Sequence, residues 1–256
     1  MKDLATIAEI MDEAACSGTA IAQLSQSGQA LTLEEAYAVQ RLSVARRLAR
    51  GETLAGIKMG FTSRAKMAQM GIDEMIWGHL TSAMLLEDGA GLNLGAYVHP
   101  RVEPEIAFLL KRSLCGRVTL AQALAAVEAV APAIEIIDSR YRDFKFNLAD
   151  VVADNSSSAS FVLGPWHRPD GDLTNRGMIL AFDNRTVETG SSAAILGNPV
   201  RALAAASRLV AQHGMVLRRG WIVLAGGATA AATLQPGIAV ANIVEGLDRA
   251  SFHVAR

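Results

Sequence analysis

The chain has 256 residues, of which 51% are hydrophobic, and this composition provides enough apolar side chains for a sizeable buried core. Its 24 Lys and Arg residues nearly balance its 25 Asp and Glu residues, so the net charge of −1 gives no electrostatic case for binding nucleic acid or an anionic membrane. No stretch of about 18 apolar residues is free of charge, so we predict no membrane-spanning helix.

The two cysteines and the N-terminus bear on the cellular compartment. Cys16 and Cys115 are too few for a disulfide framework, and neither has the spacing of a metal-binding pair. The N-terminus carries Asp3 and Glu9 where a signal peptide needs a basic start and an uninterrupted apolar stretch. We therefore predict two buried, reduced thiols and a cytoplasmic protein.

The first fifty residues have the pattern of two helices. Apolar residues recur at helical spacing from Leu4 onward. Thr32 and Glu35 have the spacing of a capping box, in which each side chain satisfies the other residue's free backbone N–H, and the helix that follows is predicted to end at Gly51. Residues 1–52 are thus predicted to form a helical N-terminal segment.

From residue 53 onward, short strand patterns follow one another, separated by turn residues. Helical patterns interrupt them at three places, which are Ser63 to Met70, Thr119 to Val130 and Pro199 to His213. Two sequences indicate hairpin turns, namely Asp183-Asn184 and Gln235-Pro236-Gly237.

The order of these elements predicts the fold class. Strands and helices do not alternate regularly, which argues against a doubly wound parallel sheet or a TIM barrel. We predict an α+β fold with a mixed, curled β-sheet core and flanking helices. Residues 53–256 are predicted to form this domain as one structural unit.

The segment HPRVEPEIAFLL holds two carboxylates at strand spacing. Residues two apart in a strand face the same way, so Glu103 and Glu105 project from one face. Pro104 between them has no N–H for a sheet ladder, which predicts an edge strand or an irregular ladder at this point. Paired carboxylates repel each other unless a cation lies between them. The alternative is a solvated strand face on which they pair with Arg101 and Lys111.

A third carboxylate, Glu135, lies in the apolar strand APAIEIID. Burying a lone carboxylate there is costly, so Glu135 needs a partner. Three carboxylates with substrate and water make an oxygen-rich shell that suits Mg²⁺ or Mn²⁺. The sequence has no Cys/His ligand spacing, which argues against zinc.

Lys58 lies in the apolar strand GIKMG between Gly56 and Gly60. Glycines in a strand permit the close approach of a ligand or of another backbone. A lysine in this setting can bind a carboxylate or move protons. The alternative is an ordinary lysine on the outer face of a half-exposed strand.

Two polar loops are candidates for binding a substrate anion. Turn and cap residues from Asp154 to Ser158 can present backbone N–H groups, and Ser158 is our candidate ligand in this loop. Thr229 follows the glycine pair of LAGGATAA and offers a hydroxyl. The alternatives are a plain polar loop and a tight turn.

Several segments together resemble the fumarylacetoacetate hydrolase superfamily, and within it the branch of 2-hydroxypentadienoate hydratases and 2-oxo-3-hexenedioate decarboxylases. The resemblance runs from about Thr32 to the C-terminus. The segments are GIKMGFTS, VEPEIAF, IEIIDSRYRDFKFNLADVVADNSSSA, AAILGNP and LAGGATAA followed by LQPG. The family's metal ligands correspond to Glu103, Glu105 and Glu135, and its strand lysine corresponds to Lys58. The resemblance also implies a distorted mixed β-barrel or roll and a homo-oligomer.

The resemblance implies a reaction as well. SRYRDFKFNL and GFTSRAKMAQMGI resemble the decarboxylases, which implies Mg²⁺- or Mn²⁺-dependent decarboxylation of 2-oxo-3-hexenedioate to 2-hydroxypenta-2,4-dienoate in the breakdown of aromatic compounds. The implied partners are a small 2-oxo dicarboxylic acid and a 2-hydroxypentadienoate hydratase. The alternatives are the hydratase itself, a non-catalytic partner subunit of such an enzyme, and an acylpyruvate hydrolase.

For the implied substrate, two roles are open for Lys58, which are binding the C1 carboxylate and assisting proton transfer to the enolate. Three basic residues are candidates for the second carboxylate, namely Arg64, Lys66 and Arg140.

Overall fold

The computed structural model describes residues 3–63, residue 67 and residues 74–256. Arg64 and Lys66 lie outside these residues, as does most of the helix predicted from Ser63 to Met70.

The N-terminal segment consists of two packed helices. Helix α1 spans Leu4–Ser17, and helix α2 spans Leu33–Ala49. The predicted capping box is confirmed, because Thr32 and Glu35 satisfy each other's backbone N–H groups at the start of α2. Asp12 of α1 is 3% exposed and accepts hydrogen bonds from Arg46 of α2 and from Arg50, which caps the end of α2, so a buried carboxylate and two exposed guanidinium groups join the helices.

The larger of the two sheets among the described residues carries Lys58 and the three predicted glutamates. Its strands are β1 (Leu54–Gly60), β2 (Ile76–Thr81), β3 (Leu85–Leu86), β5 (Arg101–Leu110), β6 (Val127–Ile137), β7 (Ser158–Leu163), β10 (Ile222–Leu224) and β11 (Ala232–Thr233). They lie in the order β2, β1, β10, β5, β6, β7 and β3, and β11 also pairs with β5.

The smaller sheet packs against one face of the larger one. Its order is β4 (Gly91–Leu92), β13 (Asp248–Val254), β12 (Ala239–Val244), β8 (Gly177–Phe182) and β9 (Arg185–Ser191). Apolar side chains from both sheets share one cluster, which includes Val102, Ile134, Leu180, Val240 and Phe252. Three further helices flank the sheets, namely α3 (Leu120–Ala125), α4 (Leu148–Ala153) and α5 (Pro199–Gln212). The predicted α+β fold with a curled, mixed sheet and outer helices is confirmed, and α5 begins with the predicted proline.

The predicted helix from Thr119 to Val130 is too long. It ends at Ala125, and Val127 already begins β6, which pairs antiparallel with β5 along almost its whole length. The ladder with β5 fixes this segment as a strand, and Pro132 further along it cannot occupy a helix interior.

Pro104 does not lie on an edge strand, since β5 has partners on both sides. It pairs with β6 on one side and with β10 and β11 on the other. The ladder with β10 covers residues 107–109 and the ladder with β11 covers residues 101–102, so Pro104 falls in the gap between them. Of the two alternatives predicted for Pro104, the irregular ladder is therefore confirmed and the edge strand is wrong.

The two predicted hairpin turns differ in outcome. Asp183 and Asn184 connect the paired strands β8 and β9 with φ angles of 50° and 61°, which confirms that hairpin. Residues 235–237 connect β11 of the larger sheet to β12 of the smaller one, so the hairpin predicted there is wrong. The chain does turn at these residues, but the strands on either side, β11 and β12, belong to different sheets.

Both cysteines are free thiols, and both are exposed, so the prediction that they are buried is wrong. Within the described residues, no helix combines the length and the apolar character needed to cross a membrane.

Candidate active site

The three predicted carboxylates converge on one face of the larger sheet. The β5–β6 register places Glu103 directly opposite Glu135, and Glu105 follows two residues along the same strand. One oxygen from each of the three side chains can be chosen so that all three lie within 4.8 Å of one another. Spacing in the sequence did not establish that Glu135 lies near Glu103 and Glu105. The strand register shows that it does.

Two of these carboxylates are buried and have too few hydrogen-bond partners among the described residues, which favours a bound cation. Glu105 and Glu135 are both 0% exposed, and in the part of the chain that the structure describes, Oε1 of each has no hydrogen-bond partner. Burial raises the pKa of Glu105 well above its ordinary value, and the charge of Glu135 raises it further. Burial also raises the pKa of Glu135, although Lys58 opposes this effect. An all-oxygen set with unsatisfied buried acceptors fits a hard divalent cation such as Mg²⁺ or Mn²⁺.

The glycine pair of LAGGATAA packs against the carboxylates. The Gly226 N–H donates a hydrogen bond of 2.6 Å to Glu105 Oε2. A Cβ atom on Gly227 would come within 2.8 Å of the Glu103 carboxyl carbon. Close approach to the Glu103 carboxylate therefore explains Gly227, whereas Gly226 has a φ of 108° and a Cβ there would lie 2.0 Å from the Thr62 hydroxyl oxygen.

Lys58 reaches the carboxylate cluster from β1. Its Nζ lies 3.0 Å from Glu135 Oε2, and its side chain is 4% exposed. Burial lowers the pKa of an ammonium, but the three neighbouring carboxylates outweigh that effect and raise the pKa of Lys58 above its ordinary value. Lys58 is therefore a buried cation inside the site. Gly56, two residues before Lys58, permits close packing of the β1 and β10 backbones, because a Cβ there would lie 1.8 Å from the Ile222 carbonyl oxygen of β10.

A cavity of about 210 Å³ opens above Lys58 and Glu103. Thr62, Ser63, Ser156 and Ser157 are the uncharged polar residues of its lining among the described residues. The apolar side chains of the lining are Met59, Phe61, Ile76, Ile137, Phe144, Phe146 and Val151. The cavity therefore combines the charges of Lys58 and Glu103 with a largely apolar wall.

Left-handed backbone is concentrated in this wall. Phe61, Phe144, Ser156 and Ser157 all line the cavity, and their φ angles are 55°, 58°, 53° and 58°. Each such residue without the freedom of glycine costs about 1 kcal/mol or more, so the surrounding contacts must hold it in place. Ser157 is 4% exposed, and its Oγ has no hydrogen-bond partner among the described residues.

Two of the predicted substrate-binding residues face a different cavity. Ser158 and Arg140 line a second space of about 180 Å³ between the N-terminal helices and the sheet. The Arg140 Nε donates to the Asp154 carboxylate, and its Nη2 donates to the Asp154 carbonyl oxygen at 2.6 Å. The substrate contacts of Ser158 and Arg140 stay predictions, and the geometry places neither residue in the cavity of the carboxylates.

Thr229 also lies outside the residues that line this cavity. Its hydroxyl donates a hydrogen bond of 2.9 Å to the Ala230 carbonyl oxygen, and its methyl group packs near Gly190. Its role in substrate binding stays a prediction.

Sequence reasoning missed the residues that build the wall. Ser157 lines the cavity of the carboxylates, whereas the adjacent Ser158 lines the second cavity. The left-handed backbone at Ser157 directs the two side chains to these different places. Phe144 and Phe146, in the loop after β6, form an aromatic part of the wall. Nothing in the local sequence pattern marks them as cavity residues. Gly78 in β2 was a usable signal, because a glycine within a strand marks a close approach of another backbone.

Comparisons with known proteins identify the family. The family model described as fumarylacetoacetate (FAA) hydrolase C-terminal matches residues 58–255. The chain is 58% identical over 249 residues to a 4-oxalocrotonate decarboxylase from a Pseudomonas species, which covers 97% of each chain. It is also 37% identical over 254 residues to a 2-keto-4-pentenoate hydratase from Burkholderia vietnamiensis, again with 97% of each chain covered.

A solved structure has the same fold over nearly the whole chain. The 4-oxalocrotonate decarboxylase from Pseudomonas putida G7, complexed with magnesium and adipate, superposes with a TM-score of 0.94 at 35% sequence identity. The alignment covers 98% of this chain and 97% of that one. The family model and the full-length relatives lead to one conclusion, which is that the chain belongs to the fumarylacetoacetate hydrolase family.

Proposed function

We propose that this chain catalyses the divalent-metal-dependent decarboxylation of 2-oxo-3-hexenedioate to 2-hydroxypenta-2,4-dienoate. The observation that carries the proposal is the convergence of Glu103, Glu105 and Glu135 beside Lys58, next to a largely apolar cavity that Lys58 and Glu103 line. The relative with 58% identity is named for this substrate, since 4-oxalocrotonate is another name for 2-oxo-3-hexenedioate.

Glu103, Glu105 and Glu135 are proposed to hold Mg²⁺ or Mn²⁺ through carboxylate oxygens. A bound divalent cation supplies positive charge next to the C2 oxygen of the substrate, where negative charge develops during the reaction. The Gly226 N–H bond to Glu105 and the ion pair of Lys58 with Glu135 fix the orientation of two of the carboxylates.

The reaction breaks one carbon–carbon bond and needs no external oxidant or reductant. The C5–C6 bond breaks, C6 leaves as CO₂, and its electron pair forms a C4=C5 double bond. The original C3=C4 pair moves to C2=C3, and the C2 carbonyl pair moves onto oxygen. A proton added to that oxygen completes 2-hydroxypenta-2,4-dienoate.

Lys58 is proposed to act at the C1–C2 end of the substrate. Its raised pKa keeps it an ammonium at neutral pH, so its three N–H groups can bind the C1 carboxylate or the C2 oxygen. In that protonated state it is also the proton donor within reach of the carboxylate cluster.

The apolar wall supports decarboxylation over hydration. A carboxylate that lies among Phe61, Phe144 and Val151 loses the water that stabilises its charge, and release of CO₂ removes that charge.

The hydratase is the second candidate, because relatives with 37% identity carry that name. The third candidate, a non-catalytic partner subunit, is opposed by the intact cluster of three carboxylates and Lys58. An acylpyruvate hydrolase would need a His/Glu pair to activate water, and no histidine lines the cavity among the residues that the structure describes.

One assay separates these candidates. The purified protein, freed of metal and then supplied with Mg²⁺, is given the six-carbon 2-oxo-3-hexenedioate and, separately, the five-carbon 2-hydroxypentadienoate. Release of CO₂ from the first is the expected result. Water addition to the second without CO₂ release from the first would establish the hydratase. No reaction with either, together with no hydrolysis of an acylpyruvate, would support a non-catalytic subunit.

We also propose that the protein is a cytoplasmic homo-oligomer that associates with a 2-hydroxypentadienoate hydratase. Exposed apolar side chains, among them Leu42, Leu85, Val187 and Ile243, offer surface for subunit contacts. The two free cysteines fit a reducing compartment. Light scattering of the protein alone and after mixing with the hydratase tests both associations.

A further inference from the structure

The outer edge of β2 is covered by side chains instead of another strand. β2 is the last strand of the larger sheet, so the backbone groups on its outer side need other partners. Asn155 supplies two, because its Oδ1 accepts from the His79 N–H at 2.8 Å and its Nδ2 donates to the His79 carbonyl oxygen at 3.0 Å. The Ser156 hydroxyl donates to the Trp77 carbonyl oxygen at 2.8 Å.

The left-handed turn of residues 155–157 is thereby docked on β2. Gly78 makes the contact possible, because a Cβ there would lie 2.3 Å from the Asn155 carbonyl oxygen. Gly78 is also the register partner of Lys58 on β1. The turn that presents Ser157 to the cavity is therefore fixed next to the strand that carries Lys58.

A side chain from the N-terminal segment joins this arrangement. Gln40 of α2 is 0% exposed, and its Nε2 donates to the Trp77 carbonyl oxygen at 3.1 Å and to the Val152 carbonyl oxygen at 3.0 Å. The first of these oxygens also accepts from Ser156, and Val152 lies in α4, three residues before the turn begins. One amide thus ties the edge of β2 to the helix that leads into the turn.

We propose that Gln40 is a positioning residue of the active site, which holds the turn of residues 155–157 against β2 and so fixes Ser156 and Ser157 in the cavity wall. It does so from outside, since no residue before Lys58 lines that cavity within the described part of the chain. The helical N-terminal segment therefore helps to fix the shape of the active site.

The physical reason is the strain in the turn. Three consecutive residues without the freedom of glycine hold left-handed φ angles of 48°, 53° and 58°. Such a backbone persists only where the surroundings hold it. Without the Gln40 amide, the Val152 and Trp77 carbonyls each lose a buried donor, although the Trp77 carbonyl still accepts from Ser156, so a less strained turn becomes accessible.

The test compares Gln40→Met with Val39→Ala in the full chain with Mg²⁺. Methionine has a similar shape without the amide, whereas Val39 is the preceding residue, is 0% exposed in the core, and makes no side-chain hydrogen bond. Hydrogen exchange of the backbone amides of residues 154–158 reports on the turn, and KM for 2-oxo-3-hexenedioate reports on the cavity. If Gln40→Met does not fold, Gln40→Asn, which draws the amide back by one methylene, replaces it.

In Gln40→Met, we expect exchange at residues 154–158 to become faster and KM to rise roughly tenfold, because a misplaced wall binds substrate poorly. The Mn²⁺ dissociation constant should stay within about twofold, since the carboxylates are untouched. Val39→Ala should lower the melting temperature without changing exchange in the turn or KM.

Two results would overturn the proposal. One is unchanged exchange and KM in the Gln40 variant, and the other is an equal change in Val39→Ala, which would mean general loosening. The choice of substrate rests on the proposed function, but the exchange measurement does not. Absence of CO₂ release by the unaltered protein would therefore refute the proposed reaction and leave the inference on Gln40 standing or falling on exchange alone.

Discussion

Lys58 Nζ lies 3.0 Å from Glu135 Oε2, although both side chains are almost completely removed from solvent. A buried ion pair of this kind is not stabilising by itself, because desolvation of both charges offsets their attraction. Here the single ammonium faces three carboxylates, so the ionised cluster carries two surplus negative charges. A divalent cation would neutralise that surplus, so the proposed metal site is compatible with the lysine beside it.

Replacing Lys58 with methionine should reduce turnover and spare the metal. We expect Lys58→Met to lower kcat roughly 100-fold, because a positioned proton donor contributes about that much. The Mn²⁺ dissociation constant, measured by titration, should not rise, since a competing positive charge has been removed. Turnover equal to that of the unaltered protein would leave Lys58 a purely structural role.

Removing a carboxylate should abolish the response to metal. We expect Glu135→Gln to lose Mg²⁺-dependent turnover and the rise in melting temperature that a bound ligand produces, which is about 2.7 kcal/mol of stability at a hundredfold excess over the dissociation constant. Glu128→Gln is the matched control, because Glu128 lies on the same strand but is exposed. Full activity of the EDTA-treated protein would argue against the metal site altogether.

A methyl group on Gly227 should weaken metal binding from outside the ligand set. The added Cβ would lie 2.8 Å from the Glu103 carboxyl carbon, so that carboxylate must move. We expect Gly227→Ala to raise the Mn²⁺ dissociation constant roughly 10- to 100-fold. Gly177→Ala is the control, because a Cβ there meets nothing closer than 3.6 Å. Equal affinities in the two variants would show that Glu103 does not bind the metal in this position.

His79 should make the protein less stable in acid. Burial, with a smaller contribution from the charge of Arg41, lowers the pKa of His79 from 6.5 to about 4. The unfolded chain therefore takes up a proton below pH 6.5 that the folded chain refuses until about pH 4, so stability falls over that window. The expected contribution is about 3 kcal/mol.

Urea unfolding at pH 7 and pH 4 measures this effect. The free energy of unfolding should fall less in His79→Gln than in the unaltered protein, whereas His253→Gln, at an exposed histidine, should keep the original slope. Identical slopes in all three proteins would contradict the lowered pKa.

The sequence made the cluster of three carboxylates predictable because it depends on local rules. Alternation along a strand places Glu103 and Glu105 on one face, and an apolar setting marks Glu135 as a buried group that needs a partner. The two helices of the N-terminal segment and the Asp183-Asn184 hairpin were predictable for the same reason, since caps and turn residues act within a few positions.

The rest of the site depends on contacts between distant segments, which a single sequence does not contain. Whether Ser157 or Ser158 faces the cavity is decided by a turn that is docked on β2, about 80 residues earlier in the chain. Arg140 has the charge to bind a substrate carboxylate, but the buried Asp154 occupies it. Pro104 suggested an edge strand because the sequence does not reveal that β10 and β11 leave a gap at that position.

The division of the cavity between strands and loops has a consequence for how this site can diversify. The three clustered carboxylates and Lys58 project from paired strands in the middle of a sheet, where any change disturbs the ladder. Three of the apolar side chains in the wall, Phe61, Phe144 and Phe146, come instead from connecting segments, which tolerate substitution and insertion. Descendants of one ancestral gene can therefore acquire a new outcome for the same bound 2-oxo acid, loss of CO₂ in one lineage and gain of water in another, by mutations that never touch the metal.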